Sequence, residues 1–159
     1  MDQLSFRGAN FCTTSGLLTA TGAETVHDTT VTIVYCIDGK AATKTAITDG
    51  ATPTTDFNTG AAFVPLTASK GCVVVWGLSS GGTVRCMQGP IESLDASNGF
   101  IKAPQFPAVP ATVTPFAYQV LKAASNAGTI TFGSTNWNAT GFTNAIQNVL
   151  VLPHRPQVS

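Results

Sequence analysis

The sequence predicts an all-β domain, β-sandwich or jelly-roll-like, with extended N-terminal and proline-rich arms. Three observations predict it. Residues 29–37 alternate in side-chain character with a period of two, the signature of a strand. Short apolar runs recur along the chain, separated by Gly, Pro, Asn and Asp clusters. No segment carries the sustained 3.6-residue apolar period of a long amphipathic helix. The length of 159 residues suits a single domain, 1–159, large enough to bury a core. No fixed-period repeat divides it.

Residues 1–23 have weak periodicity and read as an arm. In 29–37, Val31, Ile33, Tyr35 and Ile37 form one face, and Thr32, Val34 and Cys36 the other. Asp38-Gly39 follows at once, and Asp-Gly suits a type I′ turn because both central residues take positive φ. Residues 40–48 return as the partner strand. Their alanines and threonines suggest a flat surface, an edge or an interface. A second Asp-Gly, Asp49-Gly50, ends that strand.

The Thr-rich stretch 51–59 reads as a loop, and 61–66 as a short strand interrupted by Pro65. Residues 71–78 are the most hydrophobic strand and belong at the centre of the core. Ser79-Ser80-Gly81-Gly82 turns the chain, and 83–88 return as a hairpin partner. Residues 91–94 and 100–102 flank a further turn. Residues 103–115 contain Pro104, Pro107, Pro110 and Pro115, three of them spaced by three as in a polyproline II helix. Proline has no N–H for a ladder, so this segment reads as an extended arm or crossing connection. Residues 116–124 fit a strand or a short helix, with strand favoured. Residues 128–132 and 145–152 are the last strands, and Pro153 stops the second.

Charge excludes several function classes. Lys plus Arg is 8 and Asp plus Glu is 8, giving a formal net charge of zero. Charged residues make up 10% of the chain, against roughly 25% in an average soluble domain. Nucleic-acid binding needs clustered cations to displace counterions, and a polybasic membrane surface needs the same. Neither partner is predicted. No run reaches the ~18 apolar residues of a spanning helix. The opening Met1-Asp2-Gln3-Leu4 lacks the basic and apolar regions of an export signal, so synthesis in the cytosol is expected.

No catalytic constellation emerges. Gly77-Leu78-Ser79-Ser80-Gly81 matches the G-x-S-x-G nucleophile elbow, but the elbow needs a helix next and strand-like residues follow. A hairpin turn is the reading adopted. Asp56-Phe57-Asn58-Thr59-Gly60 resembles part of a calcium loop, yet its twelfth position is Thr67 rather than a carboxylate. That too reads as a turn. Glu24 with Asp28, and Glu92 with Asp95, read as surface charge. Cys12, Cys36, Cys72 and Cys86 form no C-x-x-C, and His27 and His154 lack ligand spacing. Reduced, buried thiols are expected, the alternative being a Cys72–Cys86 disulfide across the hairpin. Asn138-Ala139-Thr140 is a glycosylation sequon read as a turn. Trp76 and Trp137 read as core or interface anchors. The chain is therefore expected not to be an enzyme and to hold no cofactor or metal.

Low charge lowers the desolvation cost of burying surface in an interface, so docking and self-association are expected. The proline-rich segment has little entropy to lose on docking. Phe106, Pro107, Pro110 and Phe116 are the candidate partner contacts, together with the N-terminal segment. Tyr35-Cys36-Ile37-Asp38-Gly39-Lys40 and Gly60-Ala61-Ala62-Phe63-Val64-Pro65-Leu66 resemble phrases in small virion proteins of tailed bacteriophages. So do Ala103-Pro104-Gln105-Phe106-Pro107 and Pro115-Phe116-Ala117-Tyr118-Gln119-Val120-Leu121. Among these, the chain resembles the capsid decoration, or cement, proteins over residues 30–155. The resemblance is one of texture and implies no transferable site residue. It implies a domain on the capsid exterior, with the major capsid protein and further copies of itself, as dimer or trimer, as partners. The alternative is a tail- or fibre-associated module that binds a host surface glycan or protein, with Trp137 as the sugar platform.

Overall fold

The computed structural model describes residues 10–157 and is all-β, with three antiparallel sheets and no helix among those residues. The strands are β1 (Phe11–Cys12), β2 (Leu18–Thr19), β3 (Val26–Thr29), β4 (Ile33–Ile37), β5 (Lys40–Lys44) and β6 (Ile47–Ala51). They continue with β7 (Lys70–Ser79), β8 (Val84–Gln88), β9 (Glu92–Ser93), β10 (Val113–Ala123) and β11 (Phe142–Asn148). The largest sheet runs β11-β10-β7-β8, with β9 paired to the start of β7. The smaller sheets run β1-β4-β5 and β2-β3-β6.

The length and apolarity of β7 and β10 follow from their central position. Both faces of the large sheet are covered, so neither strand alternates apolar with polar. Cys72, Val74, Trp76 and Leu78 of β7 face the larger core with Ile33, Tyr35, Phe63 and Phe132. Val73 and Val75 face the opposite way, with Met87, Tyr118 and Val120. A bulge in β10 breaks the period: Pro115 pairs with Gly77, Ala117 pairs with Trp76, and Phe116 is the extra residue. Phe116 and Ala117 both enter the larger core as a result.

That bulge corrects the reading of 103–115. The extended segment ends before Val113, and Pro115 lies inside a central strand. Proline is tolerated there because the ladder is already broken. Phe116, expected at the end of an exposed arm, is fully buried in the chain's own core. The strand favoured over 116–124 is present and begins three residues earlier.

Other expectations shift in instructive ways. Asp38 and Gly39 have φ of 50° and 75°, as a type I′ turn requires, and Ile37 pairs with Lys40 across it. The strand predicted over 40–48 is two strands, β5 and β6, in different sheets. Asp49-Gly50 is not a turn but lies within β6, where the Asp49 N–H donates to Asp28 Oδ1 at 2.7 Å. The strands expected at 61–66 and 128–132 reduce to isolated bridges, Ala62 with Thr55 and Leu66 with Ile130. The last strand lies earlier than predicted, at Phe142–Asn148. The arm expected over 1–23 is in part a wall of the domain. Phe11–Cys12 pairs with β4, and Cys12, Leu18 and Ala20 are core residues. The remainder, 1–9, lies outside the described residues.

Candidate interaction surface

Side chains capable of chemistry are mostly committed to structure. Burial pushes the Cys12 and Cys72 thiols up to about 12, and Cys86 well above its ordinary value. A thiol so shifted supplies almost no thiolate, the form that attacks substrates or binds metals. All four cysteines are free. The hairpin register places Cys86 opposite Trp76, four residues along from Cys72. Ser79 sits in the β7–β8 turn, where its Oγ accepts from the Thr83 N–H at 3.3 Å. Asp56 uses both oxygens on backbone: Oδ1 accepts from Asn58 N at 2.7 Å and Oδ2 from Gln88 N at 3.1 Å. Glu92 pairs with Lys102 at 3.2 Å, while Asp95 Oδ1 accepts from the Ser97 and Gly99 N–H groups. Among the described residues no group of three or more His, Cys, Asp or Glu is arranged to hold a metal ion.

The proline-rich segment lies against its own domain. Phe106 packs edge-on to Tyr118, with ring centroids 5.0 Å apart. Pro104 and Pro107 are buried and Pro110 is half-buried. Gly89 makes the approach possible, since a Cβ there would meet Gln105 O and stand 3.4 Å from Pro107 Cδ. Asn58 Nδ2 donates to Ala108 O at 2.8 Å and fastens the middle of the segment. The second face of the large sheet needs this cover, which explains an extended segment rich in proline and phenylalanine. Phe106 and Pro110 keep partial exposure, whereas Pro107 and Phe116 do not. Trp137, the proposed sugar platform, is buried and donates its indole N–H to Val26 O at 2.7 Å. That withdraws the one aromatic face on which the glycan-binding alternative rested.

Open surface lies elsewhere. Three loops, at 10, 79–82 and 110–112, meet the β4–β5 hairpin around a cleft of about 650 Å³. Asn10 stitches its floor: its Nδ2 donates to Val113 O at 3.0 Å, and its Oδ1 accepts from Asp38 N at 3.1 Å. Ile37, Lys40, Ala42 and Ser80 line the cleft. The lining mixes the apolar Ile37, Ala41, Ala42 and Ala111 with the polar Asn10, Ser80 and Thr112, and carries one cation, Lys40, and one anion, Asp38. At the β11 side, two segments that carry exposed aliphatic side chains run beside each other. The Cys12 N–H donates to Leu150 O at 2.8 Å, and the Leu18 N–H to Asn148 Oδ1 at 2.7 Å. These bonds bring the stretch holding Leu17 beside that holding Leu150 and Val151, all three exposed.

Comparison with protein-family models, curated proteins and solved structures finds no match to this chain.

Sequence reasoning reached one of these surfaces. The alanines and threonines after Asp38-Gly39 read as an edge or interface, and β5 is the outermost strand of its sheet. It missed Asn10, Ser80 and the rest of the cleft, which segments far apart in sequence assemble. The Leu17–Leu150–Val151 corner was also missed. Only the apolar character of Leu150 and Val151 just before Pro153 hinted at it.

Proposed function

We propose that the chain is a structural virion protein that binds the outer surface of a phage capsid and bridges its subunits. In this reading the large sheet is one wall of a sandwich of jelly-roll type, and the protein works by contact rather than turnover. The observation that carries the proposal is the pairing of very low charge with exposed aliphatic side chains at Leu17, Leu150 and Val151. Such a surface is poorly protected as a free monomer and loses little on desolvation, which suits a lattice contact. The resemblance to decoration proteins points the same way.

The physical effect would be mass action. A ligand that binds only the mature lattice stabilises it by about 2.7 kcal/mol per site at a free concentration 100 times its Kd. The test is co-sedimentation of the purified chain with expanded, empty shells of its virion, alongside native mass by light scattering. Pelleting with the shells, lost in a Leu150→Glu, Val151→Glu double variant that keeps its Tm, is the expected result. A chain that stays in the supernatant at all concentrations overturns the proposal.

A further inference from the structure

The edge of β5 is built to accept another strand. In a two-residue hairpin the pair that flanks the turn exchanges hydrogen bonds, and alternate pairs follow. Ile37–Lys40, Tyr35–Ala42 and Ile33–Lys44 are therefore the bonded pairs. The other face of β4 agrees, because Val34 O accepts from the Thr13 N–H at 2.8 Å on the β1 side. The N–H and C=O groups of Ala41 and Thr43 consequently point outward from the sheet. Both residues are exposed, and among the described residues their backbone groups bond to nothing.

The other long edges are closed or broken. Beside β8, Phe57 N donates to Cys86 O at 2.9 Å, and Asp56 accepts from Gln88 N. Beside β11, Asn148 Oδ1 and Asn144 Nδ2 bond the backbone of Leu18 and Ala20. The open edge of β6 is interrupted by Asp49 at φ 50° and by a register shift opposite. Bulges of this kind protect an edge from pairing. β5 carries no such interruption.

The occupant follows from charge and from the cleft. Lys40, Ala42 and Lys44 share the inward face of β5, and the cleft opens beside Lys40 and Ala42, with Asp38 at its turn end, so two lysines along the strand stand against one carboxylate at the hairpin tip. Neither lysine has a carboxylate within ion-pair distance among the described residues, where the one ion pair is Lys102 with Glu92. A second copy paired antiparallel about Ala42 would set Lys40 against Lys44 of the copy at both ends. Like charges directly opposite disfavour that pairing.

We propose that β5 and the adjoining cleft form a docking site for an extended acidic segment of a partner protein, added at the free edge of β5 as a fourth strand of the β1-β4-β5 sheet. Its carboxylates would face Lys40 and Lys44, and the apolar side chain between them would enter the cleft over Ala42. Backbone bonds to Ala41 and Thr43 supply affinity, while the cleft and lysines supply selection. The site does not depend on the capsid reading, since the chemistry is the same whichever protein supplies the segment.

The test uses fluorescently labelled peptides and the full chain. The probe is the extended peptide Glu-Thr-Val-Thr-Glu, capped at both ends, with Lys-Thr-Val-Thr-Lys as the charge-reversed control. Fluorescence anisotropy should show saturable binding of the acidic peptide, at least about tenfold tighter than the basic one at low salt. Thr43→Pro removes an outward N–H and costs no internal bond, so it should keep the Tm and lose the binding. Lys40→Glu with Lys44→Glu should reverse the peptide preference. Equal binding by the Thr43→Pro protein, or no difference between the peptides, overturns the proposal. So does a dimer that Thr43→Pro converts to monomer, because the occupant is then a second copy. Shell co-sedimentation is read separately, and its failure would leave the peptide result standing.

Discussion

The His27 imidazole packs against the Trp76 indole with ring centroids 4.9 Å apart, and it is 2% exposed. Neither ring nitrogen has a well-formed hydrogen bond, the Gly50 backbone being the polar group it leans on. Burial holds its pKa below the ordinary 6.5, with Asp28 working against that shift and Lys44 adding to it. The unfolded chain therefore binds a proton in the range just below pH 6.5 that the folded chain refuses. Stability is full above that pH and falls as pH drops through the window between the unfolded and folded values. Thermal melts from pH 7.5 to pH 5 should show a falling Tm, and His27→Phe should flatten that slope. An unchanged slope in the variant would place the acid sensitivity in the carboxylates instead.

Trp76 is tied to the neighbouring strand by a bond between side chains. Its Nε1–H donates to Gln119 Oε1 at 3.1 Å, and both residues are fully buried. Gln119 Nε2 has no partner. Gln119→Leu keeps the volume and strands the indole N–H in the core, which costs about 1–3 kcal/mol. Gln119→Glu buries a charge beside no cation and should cost more. Urea denaturation with an unchanged m-value is the check, and a neutral Gln119→Leu would mean the core relaxes to wet the indole.

Local signals in the sequence were accurate where local physics decides. Asp38-Gly39 forms its turn because its own two residues adopt positive φ. The runs in β7 and β8 pair as a hairpin because Ser79 to Gly82 can close it. Asp49-Gly50 has the same letters as the first turn but is held in a strand by the Asp28 side chain and the β3 ladder. Pro115 misled for a similar reason, since the bulge that tolerates it is created by pairing with β7, 38 residues away in sequence. Of the candidate contacts, Phe106 and Pro110 remain reachable, while Pro107 and Phe116 are drawn inward by a core whose second face sequence alone did not reveal. The cleft was illegible because Asn10, Lys40, Ser80 and Thr112 converge only in the folded chain.

Thiol reactivity should separate the cysteines. Cys12, Cys72 and Cys86 are buried with raised pKa values, whereas Cys36 is half-buried. Ellman's reagent at pH 8 should label one thiol quickly in the native protein and four in denaturant. Cys36→Ala should remove the fast phase. Diamide treatment followed by mass spectrometry should yield no Cys72–Cys86 crosslink, because the hairpin register sets these residues four positions out of line. Rapid labelling of two or more thiols would show that the large sheet opens readily.

Two glycines should respond to alanine for different reasons. Gly39 sits at φ 75°, and a Cβ there would meet nothing within 4 Å. Its substitution tests backbone strain alone and should cost about 1 kcal/mol. Gly77 has no positive φ, but a Cβ there would collide with Val113 Cγ1 and stand 3.1 Å from Thr114 O. The collision is with a neighbouring central strand packed on both faces, so little can move aside. Gly77→Ala should therefore cost about 1–3 kcal/mol or more, the range for overpacking a filled core. The two variants also differ in what else they change. Gly39→Ala loosens the hairpin that carries β5 and should weaken binding of the acidic peptide. Gly77→Ala strains the β7–β10 pair beside the bulge and should lower the Tm more than it alters β5. Equal losses of Tm in both would mean that strain at the turn spreads into the sheet rather than staying in the hairpin.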